Sequence, residues 1–149
     1  MFRLHCNPDL PDVPSSACRK RLAHVARKTL SRYKAGGHVD VILTGDEQVR
    51  RLNNEYRGRD RATDVLSFSF VEDEQVLTGA DESTEDIAAG EVYISVDRAR
   101  EQATDLGVGV DEEMARLLIH GLLHLAGYDH QTEADLQEME HLTEEMLVA

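Results

Sequence analysis

The chain has 149 residues, 41% of them hydrophobic, and a formal net charge of −13, which sizes it for one domain around a single core. No stretch approaches the roughly 20 apolar residues of a membrane-spanning helix, so no membrane partner is expected. The acidic total argues against a polyanionic ligand only until it is divided. Residues 1–61 hold 13 of the 16 Lys+Arg and 7 of the 29 Asp+Glu, a net of +6, and the other 3 and 22 leave residues 62–149 at −19. That asymmetry implies a basic face for an anionic ligand and a solvated acidic remainder.

Residues 1–6 read as a short strand, followed by a Pro/Asp turn region through Pro14. Ser15 or Ser16 can cap a helix to about Lys34, with Ala17, Leu22, Val25, Ala26 and Leu30 on its apolar side and a basic opposite face. Gly36-Gly37 ends it. His38 to Leu43 is a β-branched strand, and Thr44-Gly45-Asp46-Glu47 has the pattern of a capping box opening a helix to about Asn54. An arginine-rich turn, residues 55–61, leads into a strand from Thr63 to Val71. Residues 72–86 are acidic and polar, the composition of a mobile surface loop. Ala88 to Val96 is a further strand, and a helix from about Asp97 to Leu106 follows it. Asp111 can cap an almost wholly apolar helix reaching Ala126, and Thr132 can cap a last one with Leu136, Met139, Leu142 and Met146 on its inner side. No internal repeat or second domain is visible. The expected fold is α+β, one small mixed β-sheet packed against several helices.

Cys6 and Cys18 make neither a disulfide framework nor a zinc knuckle. With no long apolar run at the N-terminus to act as a secretion signal, they are expected to be reduced thiols in a cytoplasmic protein.

Chemistry concentrates in His120-Gly121-Leu122-Leu123-His124-Leu125-Ala126-Gly127-Tyr128-Asp129-His130. A spacing of four on a helix puts His120 and His124 on one face, where both reach one ion. Gly127 tolerates positive φ, so the helix can stop there and His130 can return as a third ligand. Three imidazoles leave a tetrahedral ion one open position, the mark of a catalytic site. Without an ion, imidazoles among leucines would be costly to bury. His5, His24, His38 and His141 show no such spacing and are expected on the surface or in packing roles. The H-x3-H-x2-G-x2-H pattern matches that of metzincin proteases except at Gly121, where a protease places its glutamate base. Glycine transfers no proton, and its helix-interior position costs about 1 kcal/mol relative to alanine, so a close approach of ligand or backbone is expected there. A metal without that base suits a substrate carrying its own charge, such as a phosphodiester.

Arg57 is the expected second catalytic component beside His120, since a guanidinium forks onto phosphate oxygens and stabilises developing charge. Arg50, Arg51, Arg59 and Arg61 are candidates for RNA backbone contacts, and Tyr56 and Tyr128 for base stacking. Zinc, nickel and copper all accept imidazole ligands.

His120 to His130 resembles the H-G-x-L-H-L-x-G-Y-D-H signature of the YbeY family of bacterial rRNA maturation factors. Leu52-Asn53-Asn54-Glu55-Tyr56-Arg57-Gly58, Thr63-Asp64-Val65-Leu66-Ser67-Phe68 and Gly90-Glu91-Val92-Tyr93-Ile94-Ser95 are similar to further segments of that family. Ser69 and Glu91 depart from it, where proline and aspartate are usual. The resemblance implies a zincin-like fold with a central metal-binding helix. It implies a single-strand-specific endoribonuclease that matures the 3′ end of 16S ribosomal RNA and serves ribosome quality control. Zinc would be held by His120, His124 and His130, with Arg57 needed for activity. Pre-16S RNA, the small ribosomal subunit, and ribosomal and assembly proteins are the partners it implies. Asp129 either orients a ligand or caps the turn. The alternatives are a metalloprotease-like hydrolase and a non-catalytic ribosome-assembly factor with a structural metal.

Overall fold

A computed structural model describes residues 2–10, 14–33, 38–69, 88–128 and 132–148. The elements in chain order are β1 (Phe2–Cys6), α1 (Ser16–Tyr33), β2 (His38–Thr44), α2 (Asp46–Arg57), β3 (Val65–Ser69), β4 (Ala88–Ser95), α3 (Val96–Leu106), α4 (Val110–Leu125) and α5 (Glu133–Leu147). The four strands form one sheet in the order β1-β2-β4-β3. β1, β2 and β4 run parallel, while β3 pairs antiparallel with β4 at the edge, so the sheet is mixed as expected. Parallel neighbours need a crossover, and α1 supplies the one between β1 and β2.

Alternation along the strands assigns their faces. Val39, Val41 and Leu43 of β2 are buried, as are their neighbours Val92 and Ile94 of β4. On this face α4 lies across β3 and β4, and α1, α3 and α5 pack around it. Met114, Ala115, Leu117, Leu118, Ile119, Leu122 and Leu123 are all buried, so α4 is apolar nearly all round because it is surrounded. The opposite face carries Asp40, Ile42, Phe68, Glu91 and Tyr93, all half-buried.

Several local expectations are corrected. The Thr44 hydroxyl does not cap α2. It bonds the Gln48 and Asn7 side chains instead, Gly45 holds the cap position, and Asp97 of α3 accepts the Asp46 N–H at 2.9 Å. α2 runs on to Arg57 and stops at Gly58, whose φ of 66° closes the turn. Gly109 precedes α4, which places Asp111 inside its first turn. Cys18 is buried where Ala17 was expected, and its thiol is pushed up by that burial. Leu136 is 40% exposed, while Met139 and Met146 enter the core. The Ser15 and Thr132 hydroxyls accept the N–H groups of Cys18 and Asp135 at 3.1 Å each, capping α1 and α5 as expected. Phe70, Val71, the acidic stretch 72–86 and Gly36-Gly37 lie outside the described residues.

Candidate active site

His120 and His124 occupy the last two turns of α4, each half-buried. Their Nε2 atoms converge to 3.0 Å, with the rings 4.7 Å apart and inclined at 72°. At that distance one nitrogen donates a proton to the other. An ion bound there would take the place of that hydrogen, and each nitrogen would give it a lone pair. Two nitrogens held tetrahedrally at about 2.05 Å from an ion lie about 3.3 Å apart, so the pair fits with a small rotation. Gly127 has φ of 101°, and α4 ends with the Gly127 and Tyr128 N–H groups bonded to His124 and Leu123 carbonyls. His130 and Asp129 lie outside the described residues. Among the described residues no group of three His, Cys, Asp or Glu is disposed to hold an ion.

Gly121 answers the question its sequence position raised. A Cβ there would stand 2.6 Å from Val92 Cγ1, 3.1 Å from the Ser67 hydroxyl and 3.2 Å from Val65 Cγ2. The close approach is that of the helix to the sheet, and Ser67 Oγ donates to the Gly121 carbonyl at 3.0 Å across the contact. The Cβ of a protease glutamate would crowd Val92 at this position, which weighs against the metalloprotease alternative.

The imidazoles open onto a groove of about 720 Å³ whose wall includes Arg57, Arg59, Arg61, Ser67 and Tyr128. Arg57 reaches it from the end of α2. Its Nη2 donates to the Ser67 carbonyl at 2.8 Å, and its guanidinium lies 5.5 Å over the Phe68 ring. Ser67 belongs to the edge strand, so the bond fills an acceptor that no strand pairs. Arg59 and Arg61 follow the Gly58 turn, whose shape is held by Asn53. That side chain, 4% exposed, donates to the Arg61 carbonyl at 2.9 Å, and the Asn53 carbonyl accepts the Arg59 N–H at 3.2 Å. Arg50 lies away from the groove and binds Asp60 through two bonds of 2.7 and 3.1 Å, which hold the Asp60 carboxyl below its ordinary range. Arg51 is exposed on α2 and does not line the groove.

Sequence reasoning gave Asn53 and Asp64 no role beyond the family-like segments that contain them, and placed Glu113 only as a favourable charge in the first turn of its helix. Asp64 stands between the groove and a second cavity of about 580 Å³, and its carboxylate accepts from the Val65 N–H at 2.8 Å and Gln102 at 3.1 Å. Glu113 lines that second cavity at 2% exposure, and burial pushes its carboxyl up, opposed by Arg116 at 3.6 Å. The signal was available for Glu113, which lies seven residues before His120 and so shares its helix face.

His5 and His141 pair with Asp40 and Glu145 at 3.0 Å each, and His38 is buried near Asp40. These three have structural partners, in keeping with the expectation.

A layered α+β domain with two convergent imidazoles and three arginines around one groove has the outline of a small hydrolase for an anionic substrate. Comparison with known proteins narrows the class. Residues 7–149 match the family model described as Endoribonuclease YbeY, and the chain belongs to that family. It is 44% identical to Endoribonuclease YbeY of Bacillus licheniformis over 107 residues, 70% of this chain and 66% of that protein. It is 36% identical to the Limosilactobacillus fermentum protein of the same name over 148 residues, 98% of this chain and 93% of that one. The solution structure of TM1509 from Thermotoga maritima matches with a TM-score of 0.60 at 26% identity, covering 98% of this chain and 89% of that one. The α+β fold is therefore shared as well as the sequence.

Proposed function

We propose that this protein is a zinc-dependent, single-strand-specific endoribonuclease that matures the 3′ end of 16S ribosomal RNA and serves ribosome quality control in the cytoplasm. The observation that carries the reading is the convergence of the His120 and His124 Nε2 atoms in the groove that also receives Arg57. Family membership supports RNA as the substrate. Pre-16S RNA, the small ribosomal subunit and its assembly proteins are the partners this reading implies.

His120 and His124, with His130 as the third ligand, would hold the ion. When bound, zinc supplies Lewis acidity toward a phosphate oxygen or an attacking hydroxyl. Arg57 stabilises charge that develops on the phosphate, since its guanidinium is permanently cationic and tethered by the Ser67 carbonyl. Arg59 and Arg61 raise the positive potential along the groove and attract the backbone. Arg50 and Arg51 lie earlier in α2, where Arg50 is engaged by Asp60 and the exposed Arg51 would extend the basic surface toward more distant phosphates.

The test combines elemental analysis of the purified chain with cleavage of a single-stranded RNA. Wild-type protein is expected to carry one zinc and to lose cleavage when it is stripped with a chelator, recovering on zinc addition. Its far-ultraviolet circular dichroism is expected to stay unchanged throughout. His120→Ala and His124→Ala are expected to abolish cleavage. Undiminished cleavage by His120→Ala would assign the activity to a contaminant. A fold that melts on stripping, with RNA binding but no cleavage in the zinc-loaded protein, would favour a structural ion in an assembly factor.

A further inference from the structure

Three aromatic rings stand together on the sheet face opposite the imidazoles. Tyr56, from the last turn of α2, meets Phe68 of β3 at 5.5 Å and 64°, and Phe68 meets Tyr93 of β4 at 6.0 Å and 79°. Tyr93 is anchored, since its hydroxyl donates to Glu91 and its ring is half-buried. Phe68 is also half-buried, with the Arg57 guanidinium 5.5 Å over its ring. Tyr56 is different: it is 64% exposed, one of the few large hydrophobic residues left open to solvent among the described residues. Its ring is braced from behind by Phe68 while most of its surface faces water.

Arg57 connects this cluster to the groove. β3 is the sheet edge, and Arg57 binds the outward carbonyl of Ser67 there while it lines the imidazole groove. One arginine thus borders both the groove and the aromatic cluster. A cation flanked by a braced, exposed aromatic ring offers a single strand a phosphate contact and a base platform one after the other. A duplex keeps its bases stacked on each other and cannot use the ring.

We propose that Tyr56, braced by Phe68, is the stacking platform for a nucleobase adjacent to the phosphate held at Arg57, and that this platform selects single-stranded RNA. The inference rests on the endoribonuclease reading and adds to it the element that reads unpaired bases. The second tyrosine named from sequence, Tyr128, lines the groove itself but is half-buried and packs against the hydrophobic core, so it is less exposed than Tyr56.

The test uses the full chain and a single-stranded 12-nucleotide RNA, with a matched duplex and a 12-mer in which abasic sites replace the bases. Tyr56→Ala is expected to weaken binding of the intact strand about fivefold or more, the range of lost base–aromatic stacking. Tyr56→Phe, which keeps the ring, is expected to restore it. Duplex and abasic strands are expected to bind wild type and Tyr56→Ala equally, because only backbone contacts remain. With 2-aminopurine in the strand, wild type is expected to quench its fluorescence on binding and Tyr56→Ala is not. Equal affinity of wild type and Tyr56→Ala for the intact strand would overturn the platform and leave the nuclease reading standing. An equal loss of abasic-strand binding would also overturn it, by assigning the effect to the backbone. A wild-type protein that neither binds nor cleaves the intact strand would sink both.

Discussion

Ser67 and Gly121 meet across the contact between the edge strand and the central helix, the serine hydroxyl donating 3.0 Å to the glycine carbonyl. The helix turn that begins at His120 comes this close only because residue 121 has no side chain. Alanine in an open helix interior would gain about 1 kcal/mol over glycine. Here its methyl would sit 2.6 Å from Val92 Cγ1, inside the buried face of the sheet. Overpacking of that kind costs about 1–3 kcal/mol. Gly121→Ala is therefore expected to lower the urea midpoint, and Gly121→Glu to lower it further without creating peptidase activity. An Ala variant as stable as the wild type would show that α4 can lift off the sheet freely.

Arg57 is exposed and held by one hydrogen bond to the Ser67 carbonyl. Replacing it should leave the fold within about 0.5 kcal/mol of wild type, as for most surface positions. Arg57→Lys keeps the charge and loses the planar fork. Cleavage of single-stranded RNA is expected to fall about 10- to 100-fold, mainly in kcat, because the fork acts on charge that develops in the transition state. A variant with wild-type kcat and a raised KM would restrict Arg57 to ground-state binding.

Glu113 gives a dependence on pH. Burial is the first cause that raises its carboxyl above the ordinary 4.5, so the native state holds the proton more tightly than the unfolded chain does. Stability attributable to this group is then present at low pH and is lost as pH rises from about 4.5 through the native value. Glu113→Gln, neutral and of the same shape, is expected to flatten that fall and to raise the melting temperature at pH 7. Arg116 keeps Glu144 as a partner in the variant. A melting temperature that drops at pH 7 would mean that the Arg116 attraction outweighs the burial.

Ser95 ties two helix starts together. Its hydroxyl accepts the Arg98 N–H at 3.2 Å as the cap of α3 and donates to the Asp46 carboxylate at 2.6 Å, while Asp97 returns a bond to the Asp46 N–H at 2.9 Å. Ser95 is fully buried. Ser95→Ala is expected to cost about 1–2 kcal/mol in denaturant titration, the upper part of the range for a lost cap. Asp97→Ala should cost less, since its bond is exposed to water. Similar losses from both would mean that the two caps act as one unit.

The order and type of every element described were legible in the chain, because an apolar period of about 3.6 or 2 declares which face must leave water. The pairing of His120 with His124 was legible for the same reason, as four residues make one helical turn. Elements whose ends depend on a neighbour were not. Asn54 looked like the end of α2, yet the helix runs to Arg57 because Gly58 and the buried Asn53 supply the stop. Thr44 looked like a cap, yet the Asp46 N–H is accepted by Asp97, 51 residues beyond Asp46 in the chain. Sequence alone therefore determined that two imidazoles share a face and that an arginine stands beside a glycine turn near a helix end. Tertiary structure decided that both line one groove, that Gly121 is space for Val92 and Ser67, and that Glu113 is buried. The physical reason is that a period in the chain fixes direction around one axis, whereas proximity between axes is set only when the sheet and α4 pack.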